Sequence, residues 1–292
     1  MNTKTKAIQK RLLEIAIEFK CICDQNNLQY FIAGGSLLGA IRHKGFIPWD
    51  DDMDFCMPRE DYQKFLKIAP DLLSKHLTIR NFKTDGKNFC VMYSQIHDTT
   101  STFLVDVFPS GHQHIGGIMI DIFPLDGTFQ NTLLRKIHFT TLSFFQNIRN
   151  LAFYLDEKQH WSFFKKNILK IMRLTCRGAT MYYVIDFLLR LKKYKNAKYV
   201  GEFGSTAYGD KQILEKNIYE KSKDIFFEGV VFKSPNNADF YLRRFYGDYM
   251  TFPPKEQQIG HAVFCNLEKS YLQLQQGEDL HATEKNHSYH RG

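Results

Sequence analysis

Two aspartates two positions apart, Asp52 and Asp54, stand among the apolar residues Met53, Phe55 and Met57. In an extended strand such a pair points to one face, so two carboxylates converge on one point in space. Like charges held that close repel unless a cation lies between them. A hard divalent ion, its other positions filled by phosphate oxygens, is the simplest account. A third carboxylate, Asp121, interrupts the apolar run Ile118–Phe123, where an acid is costly unless neutralised, paired or metal-bound. The competing readings are a solvated acidic turn for the first pair and a buried salt bridge for Asp121. Asp50 and Asp51 read as such a turn.

Upstream, Gly34-Gly35-Ser36 marks a strand-to-helix turn. Glycines there let backbone N–H groups approach an anion, and the start of the helix adds the positive end of its dipole. Alone the turn is weak evidence, since most such turns are only turns. Its value comes from the acids downstream. Other acidic motifs fail on spacing. A helix–loop–helix calcium site beginning at Asp50 needs Gly where Phe55 stands and Glu where Asp61 stands. An aspartyl phosphatase carries Thr or Val where Cys56 stands. A metal-dependent glycosyltransferase with Asp-x-Asp shares the donor chemistry but leaves the glycine turn unexplained.

The elements that must position these residues follow from periodicity. Ile8, Leu12, Ile15 and Phe19 recur at helical steps and predict an amphipathic N-terminal helix rather than a secretory signal. A strand over Leu28–Ala33 enters the glycine turn, and a helix over Ser36–His43 follows with Ser36 as N-cap. A strand over Asp52–Met57 and a helix from Glu60 to Ile68 come next. Further strands are expected near Leu77–Phe82, Phe89–Ile96 and Gly116–Pro124. Between Leu133 and Tyr199 the pattern is helical, basic and aromatic-rich. Turn-rich chain follows, then a short helix in FYLRRFYGDYMTFPP and a polar tail after Asn266. Strands and helices mixed in the first half, then helices, predict an α+β fold.

Composition bounds the rest. A hydrophobic fraction of 43% and an aromatic fraction of 15% supply an ample core. No stretch reaches the ~18 unbroken apolar residues of a membrane span. The six cysteines form no CxxC pair and read as free, buried thiols of a reducing compartment. Net charge is +8, but residues 133–200 hold fourteen Lys/Arg against three acids, +11, leaving −3 for the remainder. Such concentration suggests an anionic partner. No nucleic-acid reader motif accompanies it, so nucleic acid is not expected. Phe144, Phe145, Phe153, Trp161, Phe163, Phe164 and Phe187 among those lysines suit an anionic bilayer. The preferred alternative packs the aromatics on the sheet and leaves a solvated basic side.

Gly34-Gly35-Ser36-Leu37-Leu38-Gly39, Arg42-His43, Gly45, Pro48-Trp49-Asp50-Asp51-Asp52-x-Asp54 and Asp121-x-Phe123-Pro124-x-Asp126-Gly127 together resemble the LicD family. Phe227-Glu228-Gly229 and Tyr246-Gly247-Asp248-Tyr249-Met250 with Pro253-Pro254 extend the likeness, which runs from Leu28 to His261. The family is similar to polymerase-β-like nucleotidyltransferases, which implies a nucleotidyltransferase-like mixed sheet flanked by helices. The superfamily's Gly-Ser turn, two-carboxylate strand and third acid would fall on Gly35-Ser36, Asp52/Asp54 and Asp121. The Asp50-Asp51-Asp52 run leaves the register open, so Asp50 is a reserve ligand.

The resemblance implies transfer of phosphocholine or a similar phospho-substituent from a CDP-linked donor to a cell-surface glycan or its lipid-linked precursor. Mg²⁺, with Mn²⁺ as substitute, would be held by Asp52, Asp54 and Asp121. Asp121 could instead accept the acceptor hydroxyl's proton. Gly34, Gly35 and Ser36 would hold donor phosphate, with Arg42, His43 and Lys44 adding positive charge. Trp49 would face a quaternary ammonium or pack over the acidic loop. Nucleotidyl transfer and a non-catalytic binding role are the alternatives. The expected division is a catalytic core over 1–132, a basic helical region over 133–200, the remainder of the LicD-type domain over 201–265 and a polar tail. The expected location is cytoplasmic, with contact at the inner face of the membrane.

Overall fold

A computed structural model of the chain describes residues 3–86, 89–106, 113–154, 162–205 and 207–275. In chain order the elements are α1 (Thr3–Gln25), β1 (Phe31–Ile32), α2 (Gly34–His43), β2 (Asp54–Pro58), α3 (Arg59–Leu72), β3 (Leu77–Arg80), α4 (Phe82–Asp85), β4 (Ser94–Asp98), β5 (Thr102–Asp106), β6 (Gln113–Gly116) and β7 (Met119–Thr128). Then come α5 (Thr132–Tyr154), α6 (Phe163–Cys176), α7 (Ala179–Leu189), β8 (Tyr199–Gly201), β9 (Leu214–Glu215), α8 (Asn217–Glu220), β10 (Lys223–Phe227), β11 (Val230–Ser234), α9 (Ala238–Tyr246), β12 (Ala262–Asn266) and α10 (Tyr271–Gln275). The fold is mixed α+β.

The main sheet runs β1-β2-β7-β4-β3, with β8 and β9 continuing from the far end of β7. Among the described residues only β2 and β7 run parallel within it; the remaining pairings are antiparallel. Ile118, Ile120, Ile122 and Leu125 are fully buried, as a central strand covered on both faces requires. The predicted N-terminal helix packs here: Leu12, Ile15 and Phe19 are buried, and the Phe19 ring meets Phe55 at 4.8 Å and Phe65 at 5.1 Å. Arg59, opening α3, makes a bidentate pair with Asp126 of β7, one arm at 2.7 Å, in a buried setting. That pair locks α3 across the sheet beside the parallel seam.

Several elements depart from the periodicity. Helix α2 starts two residues before Ser36, and its N-cap is Ala33, whose side chain gives no capping bond. The second strand begins at Asp54, so Asp52 lies outside the strand expected to carry it, in the irregular chain before it. Phe89–Tyr93 is irregular, and the strand starts at Ser94. The β5–β6 and β10–β11 hairpins carry short, weakly alternating runs that periodicity missed. Helices α5–α7 pack together over their own small core of Leu142, Ile185 and Leu189 with Met92 and Phe203. Their aromatics do not all pack inward: Phe144, Phe163, Phe164 and Phe187 are exposed, against the preferred reading. Trp161 lies outside the described residues. Of the six thiols all are free, and Cys21 alone among them is exposed.

Candidate active site

The site forms where β1 turns into α2 above the parallel seam of β2 and β7. Asp54 opens β2 and Asp121 lies directly opposite it in register on β7. On the other side of β7, Gln95 of β4 is in register with Asp121 and donates to its Oδ1 at 2.9 Å. The backbone begins the same contact one residue earlier, since Asp121 N donates to Met53 O at 2.9 Å. Two acids facing each other on neighbouring strands destabilise a sheet. Here burial pushes the Asp54 carboxyl well above the usual carboxylate range, with Asp52, Asp121 and Asp50 adding repulsion. Burial likewise raises Asp121 to about 7, against hydrogen bonds from Gln95 and Tyr93 that favour its charged form.

The glycine turn serves these acids directly. Gly34 has φ +53°, and a Cβ there would lie 2.5 Å from Asp54 Oδ2. Alanine would be strained twice over. A Cβ on Gly35 would come to 3.3 Å from Asp50 Oδ2. Ser36 is buried within the first turn of α2, and its Oγ accepts from Asp54 N at 2.9 Å. Its hydroxyl therefore fixes where β2 begins. Ala33 N donates to Asp54 O at 3.0 Å, so helix start and strand start are one joint.

Asp50 and Asp51 are not a solvated turn. Both are buried. Asp51 Oδ1 accepts from His261 N at 2.7 Å and Asp51 Oδ2 from Ala262 N at 2.8 Å, while His261 Nδ1 lies 3.2 Å from Oδ1. Burial opposes its charge, but these donors win and hold the carboxyl below its usual value. The Asp51 pairing raises His261 to about 9, with Asp52, 3.5 Å away, adding to it. Burial and Asp52 together raise Asp50. Asp50, Asp51 and His261 offer ligand atoms within 4.8 Å of one another. Asp51 is committed to backbone and imidazole donors, however, and anchors the start of β12. Among the described residues Asp52, Asp54 and Asp121, the expected ligands, do not all bring ligand oxygens within that distance of one another, although Asp52 and Asp121 both add repulsion at Asp54. An all-oxygen set of Asp50, Asp52, Asp54 and Asp121 would suit a hard cation such as Mg²⁺ or Mn²⁺.

A pocket of about 140 Å³ opens beside the acids. It is lined by Asp51, Asp52, Asp121 and His261 together with Phe89, Val91, Tyr93, Phe103, Val105 and Met119. Larger hollows of about 730 Å³ and 610 Å³ lie along α3 and beside α7, but neither contains this acidic group. Beneath the joint, buried Glu202 accepts from Tyr241 Oη at 3.1 Å, and Tyr241 Oη accepts from Gly34 N at 3.2 Å. Burial raises Glu202 to about 7 against hydrogen bonds from Tyr241 and Cys56.

Arg42, His43 and Trp49 gather elsewhere, around Phe252 at the far end of α2. The Arg42 guanidinium lies 4.5 Å from that ring's centroid, His43 meets it at 5.6 Å and Trp49 at 6.3 Å. Arg42 Nη1 donates to Tyr249 O at 2.9 Å. Glu228 accepts from Phe46 N at 3.1 Å, and a Cβ on Gly45 would overlap its carboxylate. These residues shape the loop that delivers Asp50–Asp54. Glu202, Tyr241 and His261 are not singled out by the sequence, because each reaches the Gly34–Asp54 joint from more than 140 positions away.

The LicD/FKTN/FKRP nucleotidyltransferase domain matches residues 27–181. The chain belongs to this family. The matched span holds every acid at the parallel seam but not Glu202, Tyr241 or His261. The chain is 28% identical over 268 residues to the lipopolysaccharide cholinephosphotransferase LicD of Haemophilus influenzae, covering 86% of this chain and 93% of that one. It is 32% identical over 119 residues to an uncharacterized protein of Rickettsia typhi, 39% of this chain and 35% of the relative. A Rickettsia prowazekii protein, also uncharacterized, is 48% identical over 84 residues, 29% of this chain and 27% of its own length.

Proposed function

We propose that this LicD-family phosphotransferase moves phosphocholine, or a similar phospho-substituent, from a CDP-linked donor to a glycan of lipopolysaccharide type or its lipid-linked precursor. The reading rests above all on Asp54 and Asp121 facing each other in register across a parallel seam, under a glycine-led helix start. The Haemophilus relative supports the substituent and the acceptor class. The same helix start, parallel seam and acid triad support a nucleotidyltransferase-type sheet.

An acceptor hydroxyl oxygen bonds to the phosphorus that carries the substituent, and the bond from that phosphorus to CMP breaks. CMP leaves with the electron pair, and the hydroxyl proton passes to a carboxylate, for which Asp121 is the candidate where it does not itself ligate the ion. Asp52, Asp54 and Asp121, with Asp50 in reserve, would hold the divalent cation, which when bound neutralises diphosphate and departing CMP. Amides of Gly35 and Ser36, at the first turn of α2 and without helical acceptors, are suited to donor phosphate. Gln95 and Tyr93 orient Asp121. The pocket's aromatic wall is suited to the substituent, where a quaternary ammonium would meet ring faces.

Purified protein given CDP-choline, Mg²⁺ and an acceptor glycan should release CMP and phosphocholine-modified glycan. Release of pyrophosphate with a nucleotide on the acceptor would replace this reading with nucleotidyl transfer. Asp52→Ala and Asp54→Ala should each abolish turnover while the fold persists, and unchanged turnover in either would sink the proposal.

A further inference from the structure

Helix α6 turns its apolar side away from the protein. Phe163, Phe164, Ile168, Ile171 and Leu174 are exposed, the first and last at 81% and 83%, while Leu169 and Cys176 face inward. At helical spacing the exposed apolar side chains cover an arc of about 140°. Lys166, Lys170 and Arg173 border that arc on one side and Lys165 on the other, and α6 contains no acid. The neighbouring helices also carry exposed apolar rows, that of α7 beside the hollow it shares with α3. Leu133, Ile137, Phe144 and Leu151 fall on one line of α5, and Tyr183, Val184 and Phe187 on one side of α7. Single exposed apolar residues need no explanation, but a continuous apolar arc on one helix, with exposed rows on the two helices it contacts, does.

We propose that the outer face of α6, with the exposed row of α5 beside it, lies in the headgroup layer of an anionic bilayer. A lipid surface suits both halves of the pattern: apolar side chains enter the acyl boundary while flanking cations meet lipid phosphates. A second copy suits it less, because pairing two such faces sets lysine against lysine with no acid on α6 to offset them. Crossing is not implied, since among the described residues no helix is long and apolar enough to span a membrane. The docking face uses none of the carboxylate residues, so it stands or falls apart from the transferase reading.

The test is flotation of the full chain with phosphatidylcholine vesicles, with and without phosphatidylglycerol. The protein should float with the anionic vesicles, stay behind with the neutral ones and be released as salt rises. Phe163→Ser with Leu174→Ser, and separately Lys165→Glu with Lys170→Glu, should each weaken binding about tenfold or more. Both variants alter exposed positions, and unchanged circular dichroism and melting would show that the fold is kept. Failure to float with anionic vesicles, or equal flotation with both kinds, would overturn the proposal. So would a wild-type dimer that Leu174→Ser dissociates.

Discussion

At the parallel seam the molecule gathers charge and buries it; on α5–α7 it gathers apolar side chains and leaves them out. Asp51, Asp54 and Asp121 are cross-braced by Ser36, Gln95 and the backbone of His261 and Ala262, from three separate stretches of chain. Leu133, Phe144, Phe163 and Leu174 stand exposed. Both arrangements oppose what minimises the free energy of an isolated fold, one by desolvating like charges and the other by hydrating hydrocarbon. The difference teaches where each cost would be offset under the two proposals: by a small ion and its phosphate ligand at the seam, by a lipid surface on the helices.

The two regions touch through Arg149. Sequence counted it with the basic surface, but it is buried. It donates to Phe89 O at 2.7 Å and Cys90 O at 3.3 Å, in the segment that walls the pocket. Its guanidinium also lies over the rings of Phe82 and Phe153, at 5.4 Å and 4.9 Å. The helical layer therefore holds one wall of the site.

The contrast can be broken first at the seam. Gly34→Ala should abolish transfer, on the order of a thousandfold or more, because the new Cβ displaces Asp54 and strains the turn. Steady-state turnover with CDP-choline measures it, and an active variant would show that Asp54 can move without loss. Next in size is the brace itself. Arg59→Ala leaves the Asp126 carboxylate buried and alone, which should cost about 3–5 kcal/mol in chemical denaturation. A loss below about 1 kcal/mol would mean the pair is not a fixture of the sheet.

What the sequence displayed of the seam was what lies close together in the chain. Gly34 to Asp54 spans one helix and one loop, so glycine and acid advertise each other, and Asp121 stood out as an acid in an apolar run. Asp50 and Asp51 misled because exposure is decided by contacts, not composition: β12 arrives 210 positions later and covers Asp51. Glu202 was invisible for the same reason. On α6 the difficulty was of another kind. A helical stripe of apolar residues fixes which face is apolar but not whether that face turns in or out, and only the position of Leu169 and Cys176 against the protein decides it.

A smaller effect separates the buried acids from the ion. Glu202, near 4.5 when unfolded and raised to about 7 by burial, binds its proton more tightly in the folded state. The stability it contributes is full below about 4.5 and is lost as pH rises through about 7. Glu202→Gln should flatten the fall in melting temperature across that window, measured without divalent cation. An unchanged slope would assign the pH dependence elsewhere. Smallest on stability is Phe163→Ser, within about 0.5 kcal/mol, because its side chain is already in water. A large loss would mean that α6 is packed rather than presented.

The central claim is that the acids of the parallel seam bind donor diphosphate only through a divalent cation. Isothermal titration of CDP-choline into the wild-type chain and into Asp54→Asn, each with Mg²⁺ and with EDTA, tests it most directly. Binding by the wild type with Mg²⁺ alone, and no binding by a folded Asp54→Asn under either condition, is the predicted result. Equal heats with EDTA, or undiminished binding by the variant, would contradict it.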